Sequence, residues 1–446
     1  MTRYTAKRLP DLKGQAAWNA ILGPQQALPT LEGDQTADVV IIGAGFAGLS
    51  AARRLIQIDP SLRVAVLDAT RVAYGSSGRN SGFMIDLPHD LVSDDYAGAG
   101  DDREVIRLNR QAIAFGRNAV EDYEISPDYF VPMGKINGAA SQTAADHNKT
   151  YSEHLAQLGE PSEILDQKQM EEITGSRHYI GGLYSPGTVM LQPAGYVRGL
   201  AAGLLRDGVA LFENSGVTSF AKEGVDWCVR TAKGRVTAPK VILSVNGHLE
   251  SFGFERGRLM QIFLYAVMTP ELSPQDIRTL GGHSRWGVTP SDPMGTTVRR
   301  IDTGQGGNRI VTRTCTTLKP NMAITDAHVA RAAKVMQRKF EQRFPKLAGI
   351  KMEHAWSGHL CLSTNSVSVA KELDHGVFSA CVQNGLGTAR GTLTGIAAAE
   401  RATGLRSEIT DYFDRETRPK LLPPQPFQEI GGNMVIRYKE WRATDD

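Results

Sequence analysis

The sequence is poor in cysteine, lacks any paired metal-ligand motif and contains no long apolar run. Its 446 residues include four cysteines without a CxxC pair and ten histidines without an HxxxH pair. We therefore expect no structural metal, and we interpret the cysteines as buried free thiols in a reducing, cytoplasmic compartment. No segment approaches the ~20 apolar residues of a bilayer-spanning helix, so we expect no membrane span.

The chain also lacks a strong excess of charge of either sign. Its formal net charge is +2, and acidic and basic residues are interspersed, so nothing indicates a nucleic-acid partner. The first 34 residues contain no apolar segment typical of a secretory signal. With 41% hydrophobic residues, the chain is long enough for two or three domains with a large core.

The most informative segment is a glycine motif that begins directly after an apolar run. Val39–Ile42 leads into Gly-x-Gly-x-x-Gly at 43–48, followed by a helix-forming run and a second apolar strand, Arg63–Leu67, that ends at Asp68. Strand, glycines, helix, strand and terminal acid in this order predict a βαβ unit that binds a dinucleotide.

Each glycine of this motif has a separate physical role. Gly43 makes the tight turn after the strand, Gly45 lets a pyrophosphate approach the backbone, and Gly48 lets the helix lie close to the sheet. The N–H groups of the first helical turn then face the phosphates. Asp68, twenty residues after Gly48, is placed to accept hydrogen bonds from a ribose.

The apolar periodicity predicts further elements along the whole chain. Predicted helices lie at 101–123, 144–158, 196–206, 325–344 and within 388–404. Predicted strands lie at 210–213, 217–220, 227–231, 236–237, 240–246, 260–268, 296–302, 309–315 and near 376–381.

These elements predict an α/β protein: a Rossmann-like dinucleotide-binding domain interleaved with an α+β substrate domain on a mainly antiparallel sheet. Residues 1–36 are expected to form an arm that wraps the body, anchored by Trp18 and Leu22, and residues 411–446 a tail. The predicted dinucleotide-binding domain comprises 37–90, 190–250 and 350–410, and the substrate domain comprises 91–189 and 251–349.

A βαβ unit alone does not separate NAD from FAD, but two further glycine-rich loops favour a flavin. Gly75–Gly82 follows the second strand, and Phe378–Gly387 runs from a strand into glycines and then a helix. The second loop offers another helix N-terminus, which would stabilise the negative charge of a reduced flavin ring.

At these loops the chain resembles the D-amino-acid-oxidase-like superfamily of FAD enzymes, which includes glycine and sarcosine oxidases. It is most similar to the γ-glutamylputrescine oxidoreductase group, and the resemblance covers nearly the whole chain. The residues that carry it are Leu31–Asp34, Gly78–Gly82, Gln192-Pro193, Trp356–Gly358, Gln383–Gly387 and the proline-rich tail.

The resemblance implies cofactor contacts from Val217 to the adenine, from residues 77–80 along the pyrophosphate and ring, and from residues 384–387 near the pyrimidine end of the flavin. The full set of expected cofactor contacts is Gly43, Gly45, Phe46, Ala47, Gly48, Asp68, Ala69, Ser77, Gly78, Arg79, Asn80, Ser81, Gly82, Val217, Asn246, Gly247, Asn384, Gly385, Leu386 and Gly387.

The resemblance also implies the chemistry. A hydride leaves the carbon next to the amine of a small amine or amino acid and reaches flavin N5, and the imine hydrolyses to an aldehyde or keto acid. Electrons pass to O2, forming H2O2, or to another acceptor. Two alternatives stay open, an NAD-dependent dehydrogenase and a non-catalytic flavin-binding subunit; the oligomeric state is not predicted.

Four side chains are candidates for roles near the flavin. His359 either polarises the ring or is a structural, hydrogen-bonded histidine, with His89 a weaker candidate. Arg390 either binds a substrate carboxylate, caps a phosphate or pairs locally. Related oxidases use a strand lysine to promote electron transfer to O2; residues 256–318 contain none, so Arg313 is the expected cation.

Cys361 falls where sarcosine oxidases carry the cysteine that bonds covalently to the flavin. We favour a buried free cysteine and non-covalent FAD, because the γ-glutamylputrescine group lacks that link.

Overall fold

In the computed structural model, residues 2–88, 101–292 and 294–443 are described, and within these ranges the strands form four sheets. The first is a six-stranded sheet with five parallel strands and one antiparallel edge strand, as the βαβ pattern predicts. In spatial order its strands are Ala210–Phe212, Val64–Leu67, Val39–Ile42, Lys240–Leu243, Val377–Ser379 and Glu372–Asp374.

The central strands of this sheet are buried on both faces, since helices cover one face and strand residues between 219 and 238 cover the other. Val39–Ile42 and Val64–Leu67 consist entirely of buried apolar residues, as expected for parallel strands. Helix Ala389–Thr403 packs against helix Phe46–Ile58 so closely that a Cβ at Gly395 would lie 2.2 Å from the Ala47 carbonyl oxygen. This close packing joins a late segment of the chain to the first βαβ unit.

The second large sheet has eight strands and is mainly antiparallel; Trp286–Pro290 and Lys135–Ala139 form its parallel pair. In spatial order its strands are His354–Leu362, Met260–Met268, Arg309–Leu318, Thr297–Ile301, Trp286–Pro290, Lys135–Ala139, Gly181–Ser185 and Glu163–Asp166. The α/β class with a mainly antiparallel second sheet is therefore confirmed.

Two smaller sheets complete the fold. A three-stranded sheet contains Phe83–Met84, Val189–Leu191 and Phe130–Pro132. A five-stranded sheet contains Arg3–Thr5, Ser219–Glu223, Asp226–Arg230, Gly234–Ala238 and Gly33–Thr36. Its two outer strands come from the N-terminal arm, so the arm is part of a sheet and is not merely wrapped around the body.

The helices agree with the predicted ones to within a few residues wherever the apolar periodicity is long. The α-helices are Ala17–Ala20, Phe46–Ile58, Asp102–Asp122, Gln142–Leu158, Gln167–Thr174, Pro193–Arg206, Pro274–Leu280, Asp326–Arg343, Ala389–Thr403, Glu408–Arg415 and Phe427–Arg442. Short 3-10 helices lie at Ser76–Gly78, Pro127–Tyr129, Asn246–Phe252, Thr303–Gln305 and Pro345–Leu347. In the described ranges no helix is both long and apolar enough to cross a membrane.

The domain boundaries remain a prediction, and two elements differ from it. Strand His354–Leu362, placed with the FAD-binding segments, pairs instead with Met260–Met268 in the eight-stranded sheet. Helix Asp102–Asp122, placed with the substrate domain, packs against helices Pro193–Arg206 and Ala389–Thr403. Both elements carry apolar patterns that report burial but do not identify the sheet or helix against which they pack.

Candidate functional site

A cavity of about 330 Å³ opens where the parallel strands end and face the eight-stranded sheet. Its first wall consists of the residues that directly follow three parallel strands: Ile42–Ala47, Leu67–Thr70 and Ser244–Asn246. Ligands of doubly wound sheets bind at this edge, beyond the carboxyl ends of the strands.

The three glycines of the first motif have three different surroundings. Gly43 has φ +107°, a backbone conformation that favours glycine. A Cβ at Gly48 would lie 1.9 Å from the Gly43 carbonyl oxygen, so Gly48 allows the close turn between strand and helix. A Cβ at Gly45 would meet only Ser77, at 3.7 Å, and Gly45 faces the cavity. Gly45 therefore leaves space for a ligand in the cavity, whereas Gly48 lets the helix pack closely against the turn at Gly43.

Asp68 ends the second parallel strand and lines the cavity. Its Oδ2 accepts the Ala44 N–H at 2.8 Å, and its Oδ1 accepts the N–H and hydroxyl of Thr70. Burial raises the pKa of the Asp68 carboxyl, although these donors act in the opposite direction. The hydrogen bond to Ala44 thus ties the carboxylate to the glycine turn, and Asp68 borders the same end of the cavity as that turn.

The guanidinium of Arg79 binds the protein. It donates to four backbone carbonyl oxygens, those of Tyr74, Lys13, Gly14 and Ser357, at 2.8 to 3.1 Å. Arg79 is buried and four of its five N–H groups are engaged, yet the residue lines the cavity, so its contact with a flavin stays a prediction. Burial lowers the pKa of Arg79 to about 10.

The C-terminal glycine loop reaches the cavity through Gly385–Gly387, and the first turn of helix Ala389–Thr403 follows it. Asn384 holds the loop instead of facing the cavity: its Oδ1 accepts the Ser363 N–H, and its Nδ2 donates to the Val367 carbonyl. Asn246 Oδ1 accepts the Val382 N–H at 3.2 Å, which ties two strand ends together. These amides position the backbone that borders the cavity.

Fifteen of the twenty expected cofactor contacts line the cavity, and five lie behind its surface. The fifteen are Gly43, Gly45, Phe46, Ala47, Asp68, Ala69, Ser77, Arg79, Asn80, Ser81, Val217, Asn246, Gly385, Leu386 and Gly387. The five are Gly48, Gly78, Gly82, Gly247 and Asn384. Four of these five residues are glycines, and at each of them a Cβ would lie within 2.2 Å of a neighbouring atom, so these glycines allow close packing.

The second wall of the cavity belongs to the eight-stranded sheet. It includes apolar residues, among them Phe263, Leu264 and Leu360, and a polar part, which we call the polar sheet wall, formed by Thr289, Thr297 and Arg313. Thr297 is paired across the strands with Arg313, which is paired with Ala266. Thr297 is 2% exposed, and its hydroxyl finds no hydrogen-bond partner among the described residues. A buried hydroxyl in a cavity wall can hydrogen-bond a water molecule or a polar ligand in the cavity.

A buried lysine lies behind this wall. Lys135 Nζ donates to Asn137 Oδ1 and to the Thr289 hydroxyl, and within the described ranges no carboxylate lies at ion-pair distance from it. Burial lowers the pKa of Lys135 to about 8. The described side chains that the eight-stranded sheet contributes to the cavity include the cation Arg313 and no acid.

His359 also lines the cavity and is held by a side chain that the sequence did not single out. Gln261 donates its amide to the Gly247 carbonyl and to Glu250, so its oxygen faces His359 Nε2 at 2.9 Å. His359 therefore carries its proton on Nε2. Burial, with neighbouring His248, lowers the pKa of His359 to about 3, so the ring is neutral at pH 7.

Two other candidates lie away from the cavity. Arg390 is partly buried and forms an ion pair with Glu416, and its Nε donates to Ser368 at 2.6 Å. Of its three interpretations, local pairing is the one observed, because helix Ala389–Thr403 directs the side chain away from the cavity wall. Cys361 is fully buried in a core cluster with Cys381 and does not line the cavity. His89 lies outside the described residues.

The N-terminal arm contributes a cavity segment that sequence patterns did not reveal. Arg8–Leu12 lines the cavity, and the arm is held by hydrogen bonds between Arg8 and the Ser251 hydroxyl and between the Ser357 N–H and the Lys13 carbonyl. Trp18, a predicted anchor, is fully buried and donates to the Asn80 carbonyl, and Leu22 packs partly buried on the same core. No periodicity marks Arg8–Leu12, because an irregular segment has none.

The cavity residues fit a dinucleotide of the flavin type. The open Cα face of Gly45 and the start of helix Phe46–Ile58 suit a pyrophosphate, and Asp68 suits a ribose. Gly385–Gly387 and the polar sheet wall leave room for a ring system and a substrate beyond it. In the described ranges no group of histidine, cysteine or acidic residues could hold a metal ion.

Comparison with known proteins gives a family match over most of the chain. A sequence model described as FAD dependent oxidoreductase matches residues 38–401. The chain is 25% identical over 420 residues to a probable oxidoreductase OrdL of Haemophilus influenzae, covering 92% of this chain and 93% of the relative. It is 24% identical over 427 residues to the γ-glutamylputrescine oxidoreductase of Escherichia coli, covering 89% of each.

Solved structures agree on the fold. Glycine oxidase from Geobacillus kaustophilus superposes with a TM-score of 0.70 at 18% identity, covering 84% of this chain and 96% of that chain. L-Amino acid deaminase from Proteus myxofaciens superposes with a TM-score of 0.69 at 15% identity, covering 94% and 100%. At these identities the likeness establishes the fold alone.

Proposed function

The chain belongs to the family of FAD-dependent oxidoreductases, and on that premise we propose that it oxidises the carbon–nitrogen bond of a small amino acid. The family membership supports FAD over the nicotinamide cofactor that the first glycine motif left open. The observation that carries the substrate class is the polar sheet wall, in which a cation and an unpartnered buried hydroxyl face the same cavity as the glycine motif.

The charges of that wall favour a substrate with an anionic group. Arg313 lines it, Lys135 lies behind it, and within the described part of the chain the sheet contributes no carboxylate to the cavity. A second ammonium of a diamine would lack an anionic partner there, whereas a carboxylate would meet Arg313 and the Thr297 hydroxyl. We therefore propose an amino acid in preference to a diamine.

The reaction removes two electrons and a proton from the substrate. The carbon–hydrogen bond next to nitrogen breaks and its electron pair leaves with the hydrogen as a hydride, so a protonated imine forms, and water converts this cation to a carbonyl compound and an ammonium ion. FAD, when bound, accepts the hydride, and O2 or another acceptor takes the electrons. With a pKa of about 3, His359 is too weak a base to hold a proton from an ammonium group, so we propose that the substrate reacts as the neutral amine.

Anaerobic bleaching of the flavin by a panel of D- and L-amino acids, their amides and diamines tests this function. We expect amino acids to bleach the flavin, and we expect Thr297→Val to weaken their binding by about tenfold because a hydrogen bond to a charged group is lost. Thr312→Val is the matched control: Thr312 is as deeply buried and also lacks a partner among the described residues, but does not line the cavity.

The outcomes separate the alternatives. Bleaching by amines and amides as readily as by amino acids would refute the substrate class but keep the reaction. A bound flavin that no member of the panel reduces would favour the non-catalytic flavin-binding subunit.

We further propose that FAD is bound without a covalent link. Cys361 is fully buried and does not line the cavity, and burial raises the pKa of its thiol well above the usual range, which disfavours the thiolate. Acid precipitation should release a yellow supernatant with the mass of FAD, and Cys361→Ser should bind the same amount. Colour that stays with the precipitated wild type and is lost in Cys361→Ser would contradict this proposal.

A further inference from the structure

The C-terminal helix, Phe427–Arg442, exposes an unusual amount of apolar surface. In the described ranges, thirteen large apolar side chains are exposed, and six of them lie on this helix. Phe427 and Met434, for example, are 70% and 68% exposed. The helix buries none of its own side chains. Such a concentration on one element marks a surface that contacts something outside the chain.

The apolar side chains form one narrow stripe that faces outward. Five of them recur at spacings of three and four residues, which at 3.6 residues per turn confines them to an arc of about 80°. The five are Phe427, Ile430, Met434, Tyr438 and Trp441. A helix that docks by its apolar face would turn this stripe inward, and here the opposite occurs.

Polar contacts hold the helix to the body. Asn433 accepts the Leu318 N–H and donates to the Leu318 carbonyl, at 3.1 and 3.0 Å. Glu429 pairs with Lys319 at 2.6 Å, and Glu440 accepts the Thr316 N–H at 2.6 Å. Since these contacts fix the rotation of the helix about its axis, the outward direction of the stripe is built in.

The charges on the exposed surface of the helix indicate what kind of partner it binds. Every exposed charged side chain of the helix is basic: Arg437, Lys439 and Arg442. Both acids of the helix point toward the body, where Glu429 pairs with Lys319 and Glu440 also pairs with Arg437. An apolar stripe with aromatic residues and flanking basic residues is typical of helices that lie in a lipid interface.

A second copy of the chain fits this surface less well. A symmetric contact centred on the C-terminal half of the helix would bring the basic side chains of the two helices together. A helix of 16 residues is about 24 Å long, and a face about 10 Å wide covers roughly 240 Å², against ~800 Å² per partner in a stable dimer. We propose that the C-terminal helix docks the protein onto an anionic lipid surface, with its apolar stripe in the interface.

Flotation of the flavin-loaded protein with lipid vesicles tests this proposal. We expect wild type to float with vesicles of phosphatidylcholine and phosphatidylglycerol, and to float less with phosphatidylcholine alone or at high salt. Phe427→Ser with Met434→Ser should reduce the bound fraction at least about tenfold, because two exposed apolar side chains leave the interface. Flavin content should stay unchanged, since both positions are exposed and outside the cavity.

Ile164→Ser with Val225→Ser is the matched control, because these side chains are 53% and 83% exposed on other parts of the surface. It should float like wild type. Absence of flotation for wild type, or an equal loss in the control, would overturn the proposal. A wild-type dimer that ignores vesicles and dissociates on Phe427→Ser with Met434→Ser would identify the stripe as a contact between two copies.

Discussion

Gly45→Val should give a folded protein that is isolated almost free of flavin. A Cβ at Gly45 meets only Ser77, at 3.7 Å, and its φ of −89° suits any residue, so the polypeptide accepts the change. The branched side chain would occupy the space that a pyrophosphate needs at the start of helix Phe46–Ile58. We expect the affinity for FAD to fall at least about a hundredfold, or about 2.8 kcal/mol.

The measurement is the flavin-to-protein ratio after purification, followed by titration of the apoprotein with FAD. Gly48→Val is the contrasting variant: its Cβ would lie 1.9 Å from the Gly43 carbonyl oxygen, so it should misfold. Circular dichroism and thermal unfolding of wild-type apoprotein and Gly45→Val should agree to within a few degrees. Full flavin occupancy in Gly45→Val would show that the phosphates lie elsewhere.

Sequence patterns predicted the parallel sheet well because its strands are continuous apolar runs next to glycine turns. Val39–Ile42, Val64–Leu67 and Lys240–Leu243 all lie where the pattern placed them. The strands Lys135–Ala139 and Gly181–Ser185 were missed. Both contain glycine and are largely buried on both faces, so they show no alternation, and Ile136 is the single β-branched residue of the two strands.

Those glycines have a structural reason that only the packing reveals. A Cβ at Gly138 would lie 2.5 Å from Val288, and a Cβ at Gly182 would lie 2.6 Å from the sulfur of Met170. The strands approach their neighbours too closely for a side chain, and low local strand propensity is the consequence. At these two strands the strand propensity of glycine is low, whereas the close packing requires glycine.

The nucleotide end of the site could be predicted from the sequence, since one contiguous segment supplies it. The second wall could be predicted only in part: Arg313 was expected from the sequence, whereas Thr289 and Thr297 lie on two other strands and become its neighbours only through strand pairing. Arg79 shows a further limit: the resemblance implied a cofactor contact, and the sequence did not indicate that four of its five N–H groups would bind backbone carbonyls, two of them in the N-terminal arm.

Arg313→Met should slow reoxidation of the reduced flavin by O2 at least tenfold, while the limiting rate of reduction by substrate changes little. Arg313 lines the cavity, and residues 256–318 contain no lysine that could replace its charge. O2 gains negative charge as it takes up an electron, and a fixed cation in a confined site lowers the cost of that charge. Reduction transfers a hydride and needs no such cation.

Stopped-flow traces of the two half-reactions separate these effects. A substrate carboxylate would use the same cation, so in the reductive half-reaction Arg313→Met should raise the apparent Kd for an amino acid by about tenfold to a hundredfold. Arg309→Met is the matched control: it lies on the same strand, pairs with Glu353 and does not line the cavity, so it should change neither half-reaction. Fast reoxidation and an unchanged Kd in Arg313→Met would show that the charge of Arg313 neither promotes electron transfer to O2 nor binds a substrate carboxylate. The buried Lys135, which donates to Thr289, would then be the next cation to replace.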